Sequence, residues 1–189
     1  MSAAETAVRY VVNASMSRFS VRAFATGLFS SLGHSPTLAI RNYTGEVTLP
    51  SGGLEQALAR LSVEAGSLEV TDDVSGKDRA EIESRMKQEV LETSSYPEIV
   101  FESSQVSVNP LGGDRYAVNV TGNLALHGVT KSETISAQVS LTGDTLRAYG
   151  DFSLRQTDYG IKLVSVAGGA LKVRDELKFS FYVLARKQE

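Results

Sequence analysis

The feature that most constrains this chain is a strict two-residue alternation of apolar and polar side chains. Successive residues of a strand face opposite sides of a sheet, and a strand buried on one face keeps that beat. It is cleanest over 115–127, where Tyr116, Val118, Val120, Leu124 and Leu126 share one parity and Arg115, Asn119, Thr121, Asn123 and His127 the other. Ile135, Ala137, Val139 and Leu141 alternate in the same way with Thr134, Ser136, Gln138 and Ser140. Leu146, Ala148, Phe152 and Leu154 oppose Arg147, Tyr149, Asp151 and Arg155, and Leu177, Phe179, Phe181 and Val183 oppose Lys178, Ser180, Tyr182 and Leu184. Gly128-Val129-Thr130-Lys131 and Gly143-Asp144 separate three of these strands at hairpin distance. The stretch 157–170, with Gly160 and Gly168-Gly169, predicts an extended loop before the last strand.

The first half keeps the beat less strictly. Val8, Tyr10 and Val12 alternate, as do Phe19, Val21, Ala23 and Ala25, and then Leu61, Val63 and Ala65. Leu38 and Ile40, then Val47 and Leu49, predict a strand interrupted near 43–45. Over 99–108 the apolar parity slips from Ile99 and Phe101 to Val106 and Val108, as a β-bulge requires. One stretch is helical instead. Ser75 and Asp78 have the spacing of a capping box, and no Gly or Pro follows over 77–93. Ile82, Met86 and Val90 then form a narrow apolar stripe at i, i+4 and i+8. The spacing of Leu54, Leu58 and Leu61 predicts a second, shorter helix over 54–61. About eight strands with one good helix and no β–helix–β rhythm predict a mainly β fold. That fold is an eight-stranded antiparallel closed barrel with one amphipathic helix packed near its mouth, formed by one domain over 1–189.

Composition narrows the chemistry. The chain has 189 residues, no Cys, no Trp and two His. Thiolate nucleophiles and cysteine-ligated metal centres are excluded, and two imidazoles alone do not make a three-histidine site, so no metal and no cofactor is expected. A net charge of −3 gives no electrostatic reason to seek nucleic acid. The start lacks a basic stretch followed by an apolar run, and no segment has the ~18 apolar residues of a spanning helix. The expectation is a cytoplasmic protein without stable membrane insertion, or a periplasmic one if this is a processed form. Pairing of two copies through outer faces stays open.

Nucleophile-elbow, phosphate-loop and zinc-protease motifs are absent. His34 stands in the turn-like string Gly33-His34-Ser35-Pro36, and His127 shares parity with Thr121 and Asn123 and is expected to face water. Asp72-Asp73 precedes the helix without an EF-hand context. Arg155 and Asp158, three apart after a strand, are expected to brace the following loop as an ion pair or to meet a ligand head group with His34. The inward set carries more weight. Leu124, Leu126, Phe152, Leu154, Phe179 and Phe181 would line a lumen with almost no polar group, suited to an apolar guest. Val21 on its strand and Ile82 and Met86 on the helix are added to that set.

Several strings taken together resemble the YceI-like family. They are Val70-Thr71-Asp72-Asp73-Val74-Ser75-Gly76-Lys77-Asp78-Arg79, Val90-Leu91-Glu92-Thr93, and Tyr96-Pro97-Glu98-Ile99-Val100-Phe101-Glu102-Ser103. In the second half they are Thr121-Gly122-Asn123-Leu124-Ala125-Leu126-His127-Gly128-Val129-Thr130-Lys131 and Phe152-Ser153-Leu154-Arg155-Gln156-Thr157-Asp158-Tyr159-Gly160. The likeness runs over about 9–185 in order and spacing. It implies a lipocalin-like barrel that holds a long apolar molecule, such as a polyisoprenoid chain or isoprenoid quinone, in a tunnel. The segment 25–36 is longer than the family's usual strand-to-strand run, so no family ligand residue is carried onto it, while its Phe29 and Leu32 join the lumen candidates. The function expected is non-enzymatic binding, storage or transport of such a lipid, the partner being a long-chain isoprenoid or another lipid. The alternatives are a solid-cored interaction module, or an enzyme on an apolar substrate using His34 or Arg155 and Asp158.

Overall fold

The computed structural model describes residues 7–26, 35–51, 53–169 and 171–188. The strands are β1 (Val8–Val12), β2 (Arg18–Arg22), β3 (Ala25–Thr26), β4 (Thr37–Ile40), β5 (Tyr43–Leu49), β6 (Leu58–Glu64) and β7 (Leu68–Val70). Helix α1 (Gly76–Arg85) follows, then β8 (Glu98–Gly112), β9 (Arg115–Leu126), β10 (Val129–Thr142), β11 (Thr145–Arg155), β12 (Ser165–Val166), β13 (Leu171–Val173) and β14 (Glu176–Lys187). Around the wall the order is β1, β5, β6, β8, β9, β10, β11, β14, and β14 pairs back onto β1. The antiparallel barrel is therefore closed with eight staves, as the alternation predicts. Closure pairs both edges of each of these eight strands, whereas β7 pairs with β4 alone and its Val70 amide is met by the Glu83 side chain of the helix.

Three staves are bent. β2 pairs with β14 and β4, and β4 with β7, so β1 with β2, β5 with β4, and β6 with β7 each form one stave with a step at 13–17, 41–42 or 65–67. The steps are bonded to one another. The Arg41 amide donates to the Ser67 carbonyl, the Glu64 amide to the Asn42 carbonyl, and the Tyr43 hydroxyl to the Ser17 carbonyl at 2.9 Å. The predicted interruption near 43–45 falls two residues earlier, at 41–42. The predicted bulge is present as a register shift between Ser103 and Gln105.

Helix α1 begins where its cap predicts: the Ser75 hydroxyl accepts from the Asp78 amide at 3.1 Å. Its last turn, Met86–Val90, widens to a π-helical pitch, and the Leu91 amide donates to the Met86 carbonyl. Glu83 reaches back to accept from the Val70 amide at 2.9 Å, which lays the helix across the end of the barrel where β7 finishes. Met86 and Leu91 are buried there, with Ile82 and Val90 packed beside them.

Three expectations are corrected. Residues 54–61 hold a 3-10 turn at Leu54–Gln56 and then enter β6, because the β5–β6 pairing takes Leu58 onward into the ladder. The 157–170 stretch is not a simple loop. It opens with a 3-10 turn (Gln156–Tyr159), and β12 pairs with β13, which pairs with β3, in a second small sheet. Leu184, placed on the polar parity, is 4% exposed. The Ala14–Met16 turn lies beside it, and Ser17 Oγ accepts from the Leu184 amide at 2.9 Å.

Candidate functional site

Inside the barrel the inward side chains form two clusters. One, toward the helix, includes Val21, Phe101, Leu124, Leu126, Leu154 and Ile161. The other, toward the hairpins, includes Val106, Val118, Val139, Leu146 and Ala185. A cavity of about 290 Å³ touches both, from Leu54 and Ala57 at the hairpin end to Leu91, Ile161 and Leu177 at the helix end. Along β9 it runs from Val118 to Leu126, roughly 20 Å on the barrel axis at the usual strand rise and tilt. Such a length makes the cavity long and narrow.

Two glycines let aromatic rings and a neighbouring strand's backbone approach the wall closely. A Cβ on Gly122 would lie 2.3 Å from the Glu102 carbonyl oxygen and 2.7 Å from the Phe101 ring. One on Gly150 would lie 2.3 Å from the Ser136 carbonyl oxygen and 2.9 Å from the Phe181 ring. The missing side chains leave room for the tips of these rings. Phe152 and Phe179 stack with centroids 4.6 Å apart, and Phe19 meets Tyr43 edge-on at 4.7 Å. The lining is apolar almost throughout. Glu46 and Arg60 border it, but their charged groups pair with Arg9 and Glu102.

Seven of the expected lumen residues line this cavity: Val21, Leu124, Leu126, Phe152, Leu154, Phe179 and Phe181. Ile82 and Met86 pack into the surrounding core, and Leu91, just past the helix, supplies that element's share of the lining. Phe29, Leu32 and His34 lie outside the described residues. Residues absent from the expected set, such as Leu61, Val63, Phe101, Ile135 and Leu177, stand on the same apolar parities that gave the strands. The alternation was sufficient to find them.

The polar candidates are placed elsewhere. Arg155 and Asp158 do not pair with each other. Arg155 Nε donates to Asp175 at 2.9 Å, and Asp158 lies 3.6 Å from Lys131. The physical reason is the 3-10 turn, which carries Asp158 toward β10 and leaves Arg155 facing the start of β14. Bonds from the Thr157 hydroxyl and amide, with the Arg155 guanidinium, hold Asp175 below the ordinary carboxylate pKa. Neither Arg155 nor Asp158 borders the cavity.

His127 is corrected as well. It adopts φ +51° in the β9–β10 turn, which breaks the strand parity and tucks its side chain, 9% exposed, beneath the end of the helical segment. Its Nε2 lies 2.7 Å from Glu92 and its Nδ1 3.2 Å from the Tyr159 carbonyl, with the Tyr96 ring 4.5 Å away. Tyr159 itself is 0% exposed, and its hydroxyl donates to Glu133 at 2.6 Å. Burial, followed by that bond, pushes the Tyr159 pKa well above its ordinary value. These four side chains tie the helix, the β9–β10 turn and the connection after β11 together over the end of the cavity. They form a structural pin, and four of the strings that carry the family likeness meet in it.

Comparison with known proteins agrees with this geometry. The chain is 40% identical over 79 residues to a UPF0312 protein of Pseudomonas aeruginosa, a match covering 39% of this chain and 39% of that relative. The matched part thus spans well under half of the curated relative's length. BcnA of Burkholderia cenocepacia has a similar fold, with a TM-score of 0.69 at 18% identity over 92% of this chain and 98% of that one. A domain from Saccharophagus degradans described as polyisoprenoid binding gives a TM-score of 0.68 at 16% identity over 95% and 98%. A YceI protein of Campylobacter jejuni gives a TM-score of 0.60 at 12% identity over 80% and 85%. The YceI-like domain model matches residues 10–185, nearly all of the barrel, and the chain belongs to the YceI-like family.

Proposed function

We propose that this chain binds one long apolar lipid, of polyisoprenoid type, along the barrel axis and leaves it chemically unchanged. The observation that carries this reading is a narrow cavity that touches both core clusters, whose lining among the described residues is apolar apart from Ser20, Ser180 and the paired Glu46 and Arg60 at its border. Acid–base or nucleophilic chemistry needs a positioned polar group at the reacting atom. At the helix end Tyr159, His127 and Arg155 are engaged with Glu133, Glu92 and Asp175. A chain threaded through an apolar bore needs no head-group contact for affinity. At about 0.8 kcal/mol per buried methylene, one five-carbon unit contributes roughly 3–4 kcal/mol before ordering costs. The described polyisoprenoid binding of the Saccharophagus degradans domain, which shares this fold, supports the choice of lipid class.

A barrel filled by its own side chains is the competing reading. The volume of about 290 Å³ favours it, because small-molecule pockets usually occupy about 300–1,000 Å³. The two readings separate by extraction. Protein purified without detergent, extracted with organic solvent and examined by mass spectrometry is expected to release a prenyl lipid, and the stripped protein to take one up again. A clean extract together with no uptake supports the filled barrel.

A further inference from the structure

The helix end of the barrel has two sides of different charge. On the helix side, residues 76–92 carry four Lys or Arg against five Asp or Glu. On the side formed by β2, β3 and the connection from β11 to β14, the balance is reversed. Residues 18–26 and 155–178 hold seven Lys or Arg against three Asp or Glu, a net of +4 in a chain whose total is −3. Arg22 and Lys178 face each other directly across the β2–β14 pairing and share the Phe24 ring, at 5.4 and 5.9 Å from its centroid. Two like charges at one register position repel, so they are retained against a cost. Lys172 lies on β13 opposite Thr26, and the Arg174 amide donates to the Phe24 carbonyl, which brings the small sheet beside this pair. Among the described residues Arg22, Lys162, Lys172, Arg174 and Lys178 have no carboxylate partner, unlike Arg9, Arg41, Arg60 and Arg155.

A second observation lies within this face. Leu163 is 40% exposed, next to Lys162 and two residues beyond Ile161, which lines the cavity. An apolar tip flanked by cations is the pattern that enters a headgroup layer, the cations meeting anionic phosphates while the apolar side chain passes below them.

We propose that this face docks on an anionic phospholipid bilayer, placing Ile161 and the end of the lumen against the membrane so that an apolar chain moves between bilayer and barrel. The docking deepens the lipid-binding reading and rests on it for its purpose, though the vesicle contact is measurable alone. The whole chain is mixed with phosphatidylcholine vesicles, or with vesicles also holding about 30 mol% phosphatidylglycerol, whose charge attracts basic surfaces. Sedimentation with the anionic vesicles only, lost as salt rises from about 0.1 to about 1 M and the Debye length falls from about 10 to about 3 Å, is expected. The double variant Lys172→Gln, Arg174→Gln should weaken vesicle binding roughly tenfold or more, since each surface cation contributes about a fivefold factor. Leu163→Ser should weaken it without changing the salt dependence, and Arg147→Gln, exposed on β11 near the hairpin end and away from the cavity, should not weaken it. Thermal melts establish that each variant is folded.

Equal binding to both vesicle types overturns the proposal, as does wild-type binding by the double variant or an equal loss from Arg147→Gln. Sedimentation with neither vesicle also overturns it and leaves the basic face to an acidic protein. Uptake of a polyisoprenyl alcohol added without vesicles is followed in parallel. Uptake without vesicle binding overturns the docking alone, and vesicle binding without uptake overturns the lipid reading alone.

Discussion

The two ends of the barrel are built differently. At the hairpin end, β8 joins β9 and β10 joins β11 through tight turns at Gly113-Asp114 and Gly143-Asp144, over a cluster of small and medium side chains around Val118, Val139 and Leu146. At the helix end only the β9–β10 turn is short, and the connections 71–97 and 156–175 cross the opening. The first end is held by neighbours in sequence and the second by contacts between distant segments, such as Glu92 with His127 and His127 with Tyr159. Local contacts make a rigid shell, whereas long connections are where binding function is usually carried.

Truncation at each end sharpens this contrast. Tyr159→Ala removes a fully buried ring and its bond to Glu133, and a loss of about 3–5 kcal/mol in denaturant melts is expected. Leu146→Ala at the hairpin end should cost about 2–5 kcal/mol. The discriminating readout is native-state hydrogen exchange. Tyr159→Ala should lower protection first in α1 and 156–175, while Leu146→Ala should lower it across β9, β10 and β11 together. Uniform loss from both variants breaks the distinction between the ends.

Gly150→Ala probes the waist between them. The new methyl meets the Ser136 carbonyl, which is backbone and cannot swing aside, so overpacking of about 1–3 kcal/mol is expected in the same melts.

Tyr159→Phe isolates the hydroxyl and should cost about 1–3 kcal/mol at neutral pH, because Glu133 loses its donor. The pH dependence has a definite sign. Because the folded pKa of Tyr159 is raised above 10.0, its proton linkage is fully present below that pH. It is lost as pH rises through the folded value, since the unfolded phenol ionises first. Stability should therefore fall above about pH 10, and Tyr159→Phe should flatten that alkaline limb. At the other extreme the lowered pKa of Asp175 stabilises above the ordinary carboxylate range and is lost as pH falls through the folded value. Asp175→Asn should flatten the acid limb below about pH 4. Arg60→Ala, which breaks an exposed pair with Glu102 on the wall, should change stability least, by about 0–1 kcal/mol.

The same contrast explains what could be read from residues alone. The inward faces of β9, β10, β11 and β14 were legible because their apolar parity holds over most of 116–126, 135–141, 146–154 and 177–183, and with them most of the cavity lining. His127 escaped because a positive φ at a strand end resets the parity, and one residue of slip moves a side chain to the other face. Leu184 escaped because a turn from the far end of the sequence stands beside it. Arg155 pairs with Asp175 rather than Asp158, a choice that charge alone leaves open and the geometry of the 3-10 turn makes. The 156–175 connection pairs with β3 through a contact that spans the chain, which no local signal announces. The family likeness did mark that end, since its strings 90–93, 96–103, 121–131 and 152–160 supply Glu92, Tyr96, His127 and Tyr159 to the pin.

The central claim is that a single chain occupies the bore, and a length series measures it most directly. Polyisoprenyl alcohols of about three to about ten units are titrated into stripped protein, with Ala148→Trp, whose indole projects into the lining, as the blocked control. The account predicts that affinity climbs with each unit until the chain fills the bore and then levels off, and that Ala148→Trp abolishes uptake while the barrel stays folded. Affinity indifferent to length, or uptake undiminished by a folded Ala148→Trp, would contradict it.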